Sequence, residues 1–247
     1  MYNYPMKQIE LMGFNINAVS MQEAVEISKY LIDLDKVTHI VTINPEMYDI
    51  ADEDYEFAQI IRWADLVIPD GIGITIALKI LGHKVSRLTG IDLGYRLLKE
   101  AAANGIPVAF VGAKNYVIEN AVKNLQFRIP DLNVVYYHDG YFDDPMEIYE
   151  GLKQASPKLI LVGMGAPYQE KFINNAKKII NPALMMGVGG SFDVWSGEVK
   201  RAPEIYQKYG LEWLYRTLNQ PCRFGRIFPA LPAFLIRVIN YRFGDKL

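Results

Sequence analysis

At 247 residues, with 51% apolar and 22% charged residues, the chain has the composition of a globular protein and not of a disordered one. That length accommodates one large domain, or one domain with an appendage. The net charge of −2 argues against general nucleic-acid binding, and the single cysteine, Cys222, excludes an intrachain disulfide and fits an inert thiol in a reducing compartment.

Residues 1–20 lack the basic head and continuous apolar stretch of a signal peptide. No segment reaches the roughly 18 uninterrupted apolar residues that a spanning helix needs. The expected location is therefore the cytoplasm, with contact to a membrane surface left open. From there, helical and β-branched stretches alternate. A helix is expected over 21–34, a strand over 37–43, a helix over 45–64, a strand over 66–68, and helices over 72–81 and 93–104. Strands over 107–111, 134–137, 159–162 and 183–188 follow, separated by helices over 116–127, 145–155 and 168–179. Strands alternating with helices of this length indicate parallel βαβ units, and strands apolar throughout indicate helices on both faces. The predicted fold is a three-layer, Rossmann-like α/β domain over 1–195 with a mainly parallel sheet, followed by a helical C-terminal appendage over 196–247.

The appendage has its own character. From Trp213 onward Arg216, Arg223, Arg226, Arg237, Arg242 and Lys246 face a single acid, Asp245. Phe228, Leu231, Phe234, Leu235, Val238, Ile239 and Tyr241 recur at helical spacing, and Pro229 and Pro232 are tolerable in the first turn of such a helix. A basic amphipathic helix suits an anionic membrane surface; docking on the main domain with solvated arginines explains the same pattern equally well.

In an open parallel sheet, ligands bind at the carboxyl ends of the strands. Glycines cluster there: Gly71, Gly112, Gly163, Gly165, and then Gly187, Gly189 and Gly190. A strand-end glycine lets backbone approach a ligand, and the turn after it presents N–H groups to a phosphate. Gly112, Gly163, Gly165, Gly187, Gly189 and Gly190 are accordingly candidate nucleotide contacts. Neither Gly163/Gly165 nor Gly187/Gly189 completes G-x-G-x-x-G, since Tyr168 and Phe192 stand at the third position, and no P-loop is present. His39, His83 and His138 show no metal-ligand spacing, and the pairs Asp33/Asp35 and Asp52/Asp54 read as solvated carboxylates.

Asp70, after the strand Leu66–Pro69, carries two readings: N-cap of the next helix, or a base that takes a proton from a substrate hydroxyl. Asn44 before Pro45 suits an N-cap as well as a sugar contact, and Thr42 stands beside it. Gln169 and Lys171 are ligand contacts or ordinary residues of a first helical turn. The segment 187–216, with Asp193, Trp195, Glu198, Lys200, Arg201, Trp213 and Arg216, concentrates more special residues than a structural turn needs.

Taken together, Thr42-Ile43-Asn44-Pro45-Glu46, the run Ala64–Gly73, Arg87–Asp92, Val162–Lys171 and Gly187–Arg216, continued by Gln220-Pro221 and Arg223, resemble the WecG/TagA/CpsF family of glycosyltransferases (family 26) in order over nearly the whole chain. The resemblance implies an inverting transfer of a sugar, N-acetylmannosamine or its uronic acid, from a UDP-sugar to a polyprenyl-diphosphate-linked N-acetylglucosamine. Such a reaction belongs to teichoic acid or other cell-surface polysaccharide synthesis at the inner face of the membrane. The resemblance makes Asp70 the catalytic base and places Thr42, Asn44, Arg87 and Gln169 around sugar and acceptor. Gly187–Gly190 and Asp193 become the nucleotide side, and Arg216, Arg223 and Arg226 lie over the diphosphate. It also implies self-association and no metal cofactor, arginine forks and helix N-termini meeting the leaving charge instead. Two alternatives stand beside it: another donor, such as UDP-glucose or a UDP-uronic acid, and a non-catalytic nucleotide-sugar-binding scaffold.

Overall fold

The computed structural model describes residues 7–219 and 224–244. It opens with an antiparallel hairpin, β1 (Gln8–Leu11) and β2 (Phe14–Asn17), ahead of the first expected element. Met12 and Gly13 turn the hairpin, both at positive φ (45° and 86°), which the twist of a two-residue connection favours. Ile9, Leu11, Phe14 and Ile16 point inward and are buried.

The main sheet contains six strands: β3 (Thr38–Ile43), β4 (Leu66–Pro69), β5 (Val108–Gly112), β6 (Val134–His138), β7 (Leu159–Gly163) and β8 (Leu184–Gly187). Their order is β4-β3-β8-β7-β5-β6, and every pairing is parallel. All six correspond to expected strands. β3, β4, β5, β7 and β8 are buried at every residue, whereas the edge strand β6 is only partly buried.

Helices α1 (Met21–Ile32), α5 (Gly90–Ala103) and α6 (Asn115–Arg128) cover one face with α9 (Ser191–Trp195). α7 (Met146–Ala155) and α8 (Tyr168–Ala176) cover the β5–β7–β8 region of the other. On that same side, over β3 and β4, lie the hairpin, α2 (Pro45–Glu53), α3 (Tyr55–Arg62) and α4 (Gly71–Ile80). Three layers result. A capping box starts α1, with Ser20 Oγ accepting from Glu23 N–H (3.2 Å) and the Glu23 carboxylate accepting from Ser20 N–H (2.7 Å).

The single helix expected over 45–64 is instead two. Asp54 leaves helical geometry (φ −121°, ψ 95°), and its carboxylate accepts from Phe57 N–H at 3.0 Å, capping α3. Asp52 and Asp54 are therefore not merely solvated: Asp52 pairs with Arg237 (2.7 Å) and Asp54 with Lys171 (2.6 Å).

After α9 come α10 (Glu204–Lys208), α11 (Glu212–Asn219) and α12 (Phe224–Gly244). α12 docks on the main domain across α2 and α4. Phe234 and Val238 are fully buried, Phe234 with its ring 4.9 Å from that of Tyr48, and Arg237 reaches Asp49 at 3.1 Å. Because α12 begins at Phe224, Pro229 and Pro232 stand inside it and not in its first turn. Each costs a main-chain hydrogen bond, offset by the apolar docking downstream. Phe234→Ala is expected to destabilise the fold by about 3 kcal/mol, read as a lower urea midpoint, because it opens a cavity between α12 and Tyr48. The outer face of α12 leaves Ile236, Ile239 and Phe243 exposed. No helix among the described residues is long and apolar enough to cross a membrane.

Candidate active site

The carboxyl ends of β3, β4, β5, β7 and β8 open onto one cavity of about 1010 Å³. Thr42, Asn44, Asp70, Arg87, Gly163, Gly165, Gln169, Gly189, Gly190 and Asp193, ten of the residues singled out above, line it. Parallel strands all end on the same side, so residues up to 151 positions apart in sequence converge without any local signal linking them.

Asp70 stands at the N-cap position of α4, yet its side chain makes no cap hydrogen bond. Its backbone N–H donates to Ile43 carbonyl (2.9 Å), extending the β3–β4 pairing, and its Oδ1 accepts from Gly90 N–H at 3.4 Å. The carboxylate is thereby turned toward the start of α5 and the cavity. Gly71, at φ +80°, makes the turn that separates Asp70 from its own helix. Asn44 behaves differently. Its Oδ1 accepts from Met47 N–H at 3.3 Å, with Pro45 at the first helical position, so it caps α2 while lining the cavity. Thr42 donates its hydroxyl to Gly187 carbonyl at 3.3 Å, and Gly90 packs directly on it.

Arg87 draws the C-terminal segment inward. Its guanidinium donates to the Gln207 carbonyl and to Glu212. Arg201 in turn reaches Asp92 at 2.6 Å and stands 3.6 Å from Glu212. Glu212 and Trp213 enter the cavity wall. Nothing local in the sequence marks this set, since Arg201 stands 109 residues from Asp92 and Arg87 stands 125 from Glu212. Lys171 is absent from the cavity lining and pairs with Asp54 and Glu56, tying α8 to α3.

Two expected nucleotide contacts, Gly112 and Gly187, do not line the cavity. Both lie where other atoms crowd in: a Cβ on Gly112 would meet the neighbouring backbone, Gly163 O at 2.3 Å, and one on Gly187 would meet a side chain, Gln169 Nε2 at 2.6 Å. Arg223 and Cys222 lie outside the described residues, and for Arg216 and Arg226 only the helical backbone is described. Among the described residues no three His, Cys, Asp or Glu are grouped to hold a metal ion.

Two fully buried ionisable groups lie outside the cavity lining, Glu170 behind Gln169 and His39 near the start of β3. Burial pushes the Glu170 carboxyl up to about 7 and the His39 imidazole down to about 3. The signs oppose. The folded state holds the Glu170 proton more tightly than the unfolded chain, so that contribution is lost as pH rises from about 4.5 to 7. His39 stays neutral when folded, so its contribution is lost as pH falls below about 6.5. Neither ring nitrogen of His39 has a hydrogen-bond partner among the described residues. His39→Leu is therefore expected to relieve about 2 kcal/mol of the loss between pH 7 and pH 5, measured by urea unfolding at both.

A model of the glycosyl transferase WecG/TagA/CpsF family matches residues 9–247. The chain belongs to this family. Named relatives agree with that assignment. An N-acetylglucosaminyldiphosphoundecaprenol N-acetyl-beta-D-mannosaminyltransferase of Bacillus spizizenii is 35% identical over 211 residues, 85% of this chain and 82% of the relative. Proteins of the same name from Bacillus subtilis and Staphylococcus aureus (strain MW2) are 33% identical over 233 and 235 residues. Each alignment covers 94% of this chain, with 90% and 92% of the relatives. As a WecG/TagA/CpsF glycosyltransferase, the chain gathers its unusual residues where an α/β fold binds substrate.

Proposed function

We propose that this glycosyltransferase moves N-acetylmannosamine from a UDP-sugar to an undecaprenyl-diphosphate-linked N-acetylglucosamine, with inversion, Asp70 acting as base. The names of the relatives support the transferred sugar and the acceptor. One structural observation carries the role of Asp70: a carboxylate at a helix N-cap position that does not cap its helix, in the wall of the cavity. Capping, the competing explanation, applies to Asn44 and not to it.

The step is a single displacement. An acceptor hydroxyl oxygen bonds to the anomeric carbon as the bond from that carbon to the β-phosphate oxygen of UDP breaks. The bonding electrons leave with UDP, and the hydroxyl proton passes to Asp70. Arg216, Arg223 and Arg226, on the strength of the family resemblance, answer the departing diphosphate, since guanidinium forks bind phosphate oxygens bidentately, while Arg87 in the cavity wall stays with Thr42, Asn44 and Gln169 on the side of sugar and acceptor. Gly163, Gly165, Gly189, Gly190 and Asp193 take the nucleotide side. No metal is required in this scheme. The exposed Ile236, Ile239 and Phe243 beside Arg242 support contact of α12 with the membrane that carries the acceptor.

The test is UDP release from a panel of UDP-sugars with a short-chain lipid-diphosphate N-acetylglucosamine, in EDTA. Acceptor-dependent release from UDP-N-acetylmannosamine is the expected result. Release from a different donor would overturn the sugar assignment, and dependence on added divalent cation would overturn the metal-free scheme. Silence with every donor would overturn the function.

A further inference from the structure

Behind the cavity, α8 buries two consecutive polar side chains, Gln169 at 4% exposure and Glu170 at 0%. Gln169 Oε1 accepts two backbone N–H groups, that of Gly165 at 3.2 Å and that of Gly189 at 3.0 Å. Its Nε2 donates to Glu170 Oε1 at 2.8 Å. Only this amide orientation is workable. Reversed, the NH2 group would face two N–H donors, and the carbonyl would face a carboxyl oxygen. Gly187 makes room for the pair, since a Cβ there would lie 2.6 Å from Gln169 Nε2 and 3.2 Å from Glu170 Oε1.

Gln169, Gly165 and Gly189 line the cavity, and Glu170 does not. Its other oxygen, Oε2, has no hydrogen-bond partner among the described residues. A fully buried carboxyl with one oxygen unpaired among the described residues is costly to keep, and a purely structural need at this place would be met by an apolar residue. What Glu170 supplies is a directional acceptor at one point, behind the side chain that ties two loops together.

We propose that Glu170 is a positioning residue for the transferase site. It holds the Gln169 carboxamide in the one orientation that clamps the loop after β7 to the loop after β8. The inference rests on the function proposed above, because those two loops form its nucleotide side. Oε1 accepts whether or not Glu170 is protonated, so the clamp holds across neutral pH.

The test uses Glu170→Met, which keeps an unbranched side chain of similar length without an acceptor, and Glu170→Gln, which keeps the acceptor. Backbone amide exchange is followed by NMR on the ligand-free protein, with donor kinetics alongside. Glu170→Met is expected to speed exchange at Gly165 and Gly189 at least about tenfold relative to amides of the central strands. Glu170→Gln should stay within about threefold of wild type there, and recover most of a fall in kcat/KM seen with Glu170→Met. In a Gln169→Ala background, Glu170→Met should add little, since both changes break one clamp. Unchanged exchange at the two glycines in Glu170→Met, or additive effects in the double variant, would overturn the inference. Should Glu170→Met not fold, equal loss of protection at the two glycines in Glu170→Gln would overturn it, and retained protection would support it. Absence of any transfer by wild type would sink the proposed function alone, because amide exchange reads the clamp without turnover.

Discussion

Asp70→Asn is expected to lower acceptor-dependent turnover about a thousandfold while leaving the fold and UDP affinity close to wild type. Asparagine has the same shape, and its Oδ1 can still accept from Gly90 N–H, so the 3.4 Å contact that holds the start of α5 survives. Stability should barely move, because the Asp70 side chain provides no cap to α4. What disappears is the ability to take the acceptor's proton as the glycosidic bond forms. Initial rates with lipid acceptor, together with calorimetric UDP titration, check both halves. Turnover within about tenfold of wild type would remove Asp70 from the base role, since general-base assistance is worth more than that.

Gly112→Ala is expected to cost at least about 4 kcal/mol, enough to leave little folded protein at 37 °C. Two independent problems coincide there. Gly112 sits at φ +131°, a conformation L side chains rarely adopt, and a Cβ would lie 2.3 Å from the Gly163 carbonyl oxygen. That oxygen also accepts from Ala113 N–H at 3.1 Å, so moving it breaks the end of the β5–β7 pairing. Gly165→Ala makes the control: its φ is +75°, but nothing lies within 4 Å of the added atom. The expected cost there is only about 1–2 kcal/mol of backbone strain. Urea unfolding followed by circular dichroism separates the two. Similar midpoints would show that β5 and β7 can part without penalty.

The same pair of glycines shows how far a sequence can be read. A glycine directly after an apolar strand is visible in either case, and both read as places where backbone meets ligand. Gly165 lines the cavity; Gly112 instead admits the neighbouring strand. The difference depends on what lies across β7, some fifty residues later, and no local pattern encodes that. Asp70 and Asn44 make the same point for capping: each precedes a helix, but only Asn44 caps it. Lys171, beside Gln169 in sequence, points instead to an ion pair with α3. The β1–β2 hairpin was legible in principle, from the alternation of Ile9, Leu11, Phe14 and Ile16 about a glycine turn, although each strand spans only four residues. The break at Asp54 was legible too, as an N-cap residue inside a helical run.

By itself the sequence determined the six strands, the α/β class, the family and the residues ending each strand. Strands, class and strand ends follow from period, apolar run length and glycine placement, and the family from its resemblance in ordered motifs, all local to the chain. Tertiary structure decided which of these residues share a cavity, which merely pack, and which partners they take. It bound Arg87 to Glu212, set Glu170 behind Gln169, and laid α12 on α2 and α4. Hydrogen bonds and close packing act over a few ångströms of space, whereas these partners stand from one to nearly two hundred positions apart in the chain.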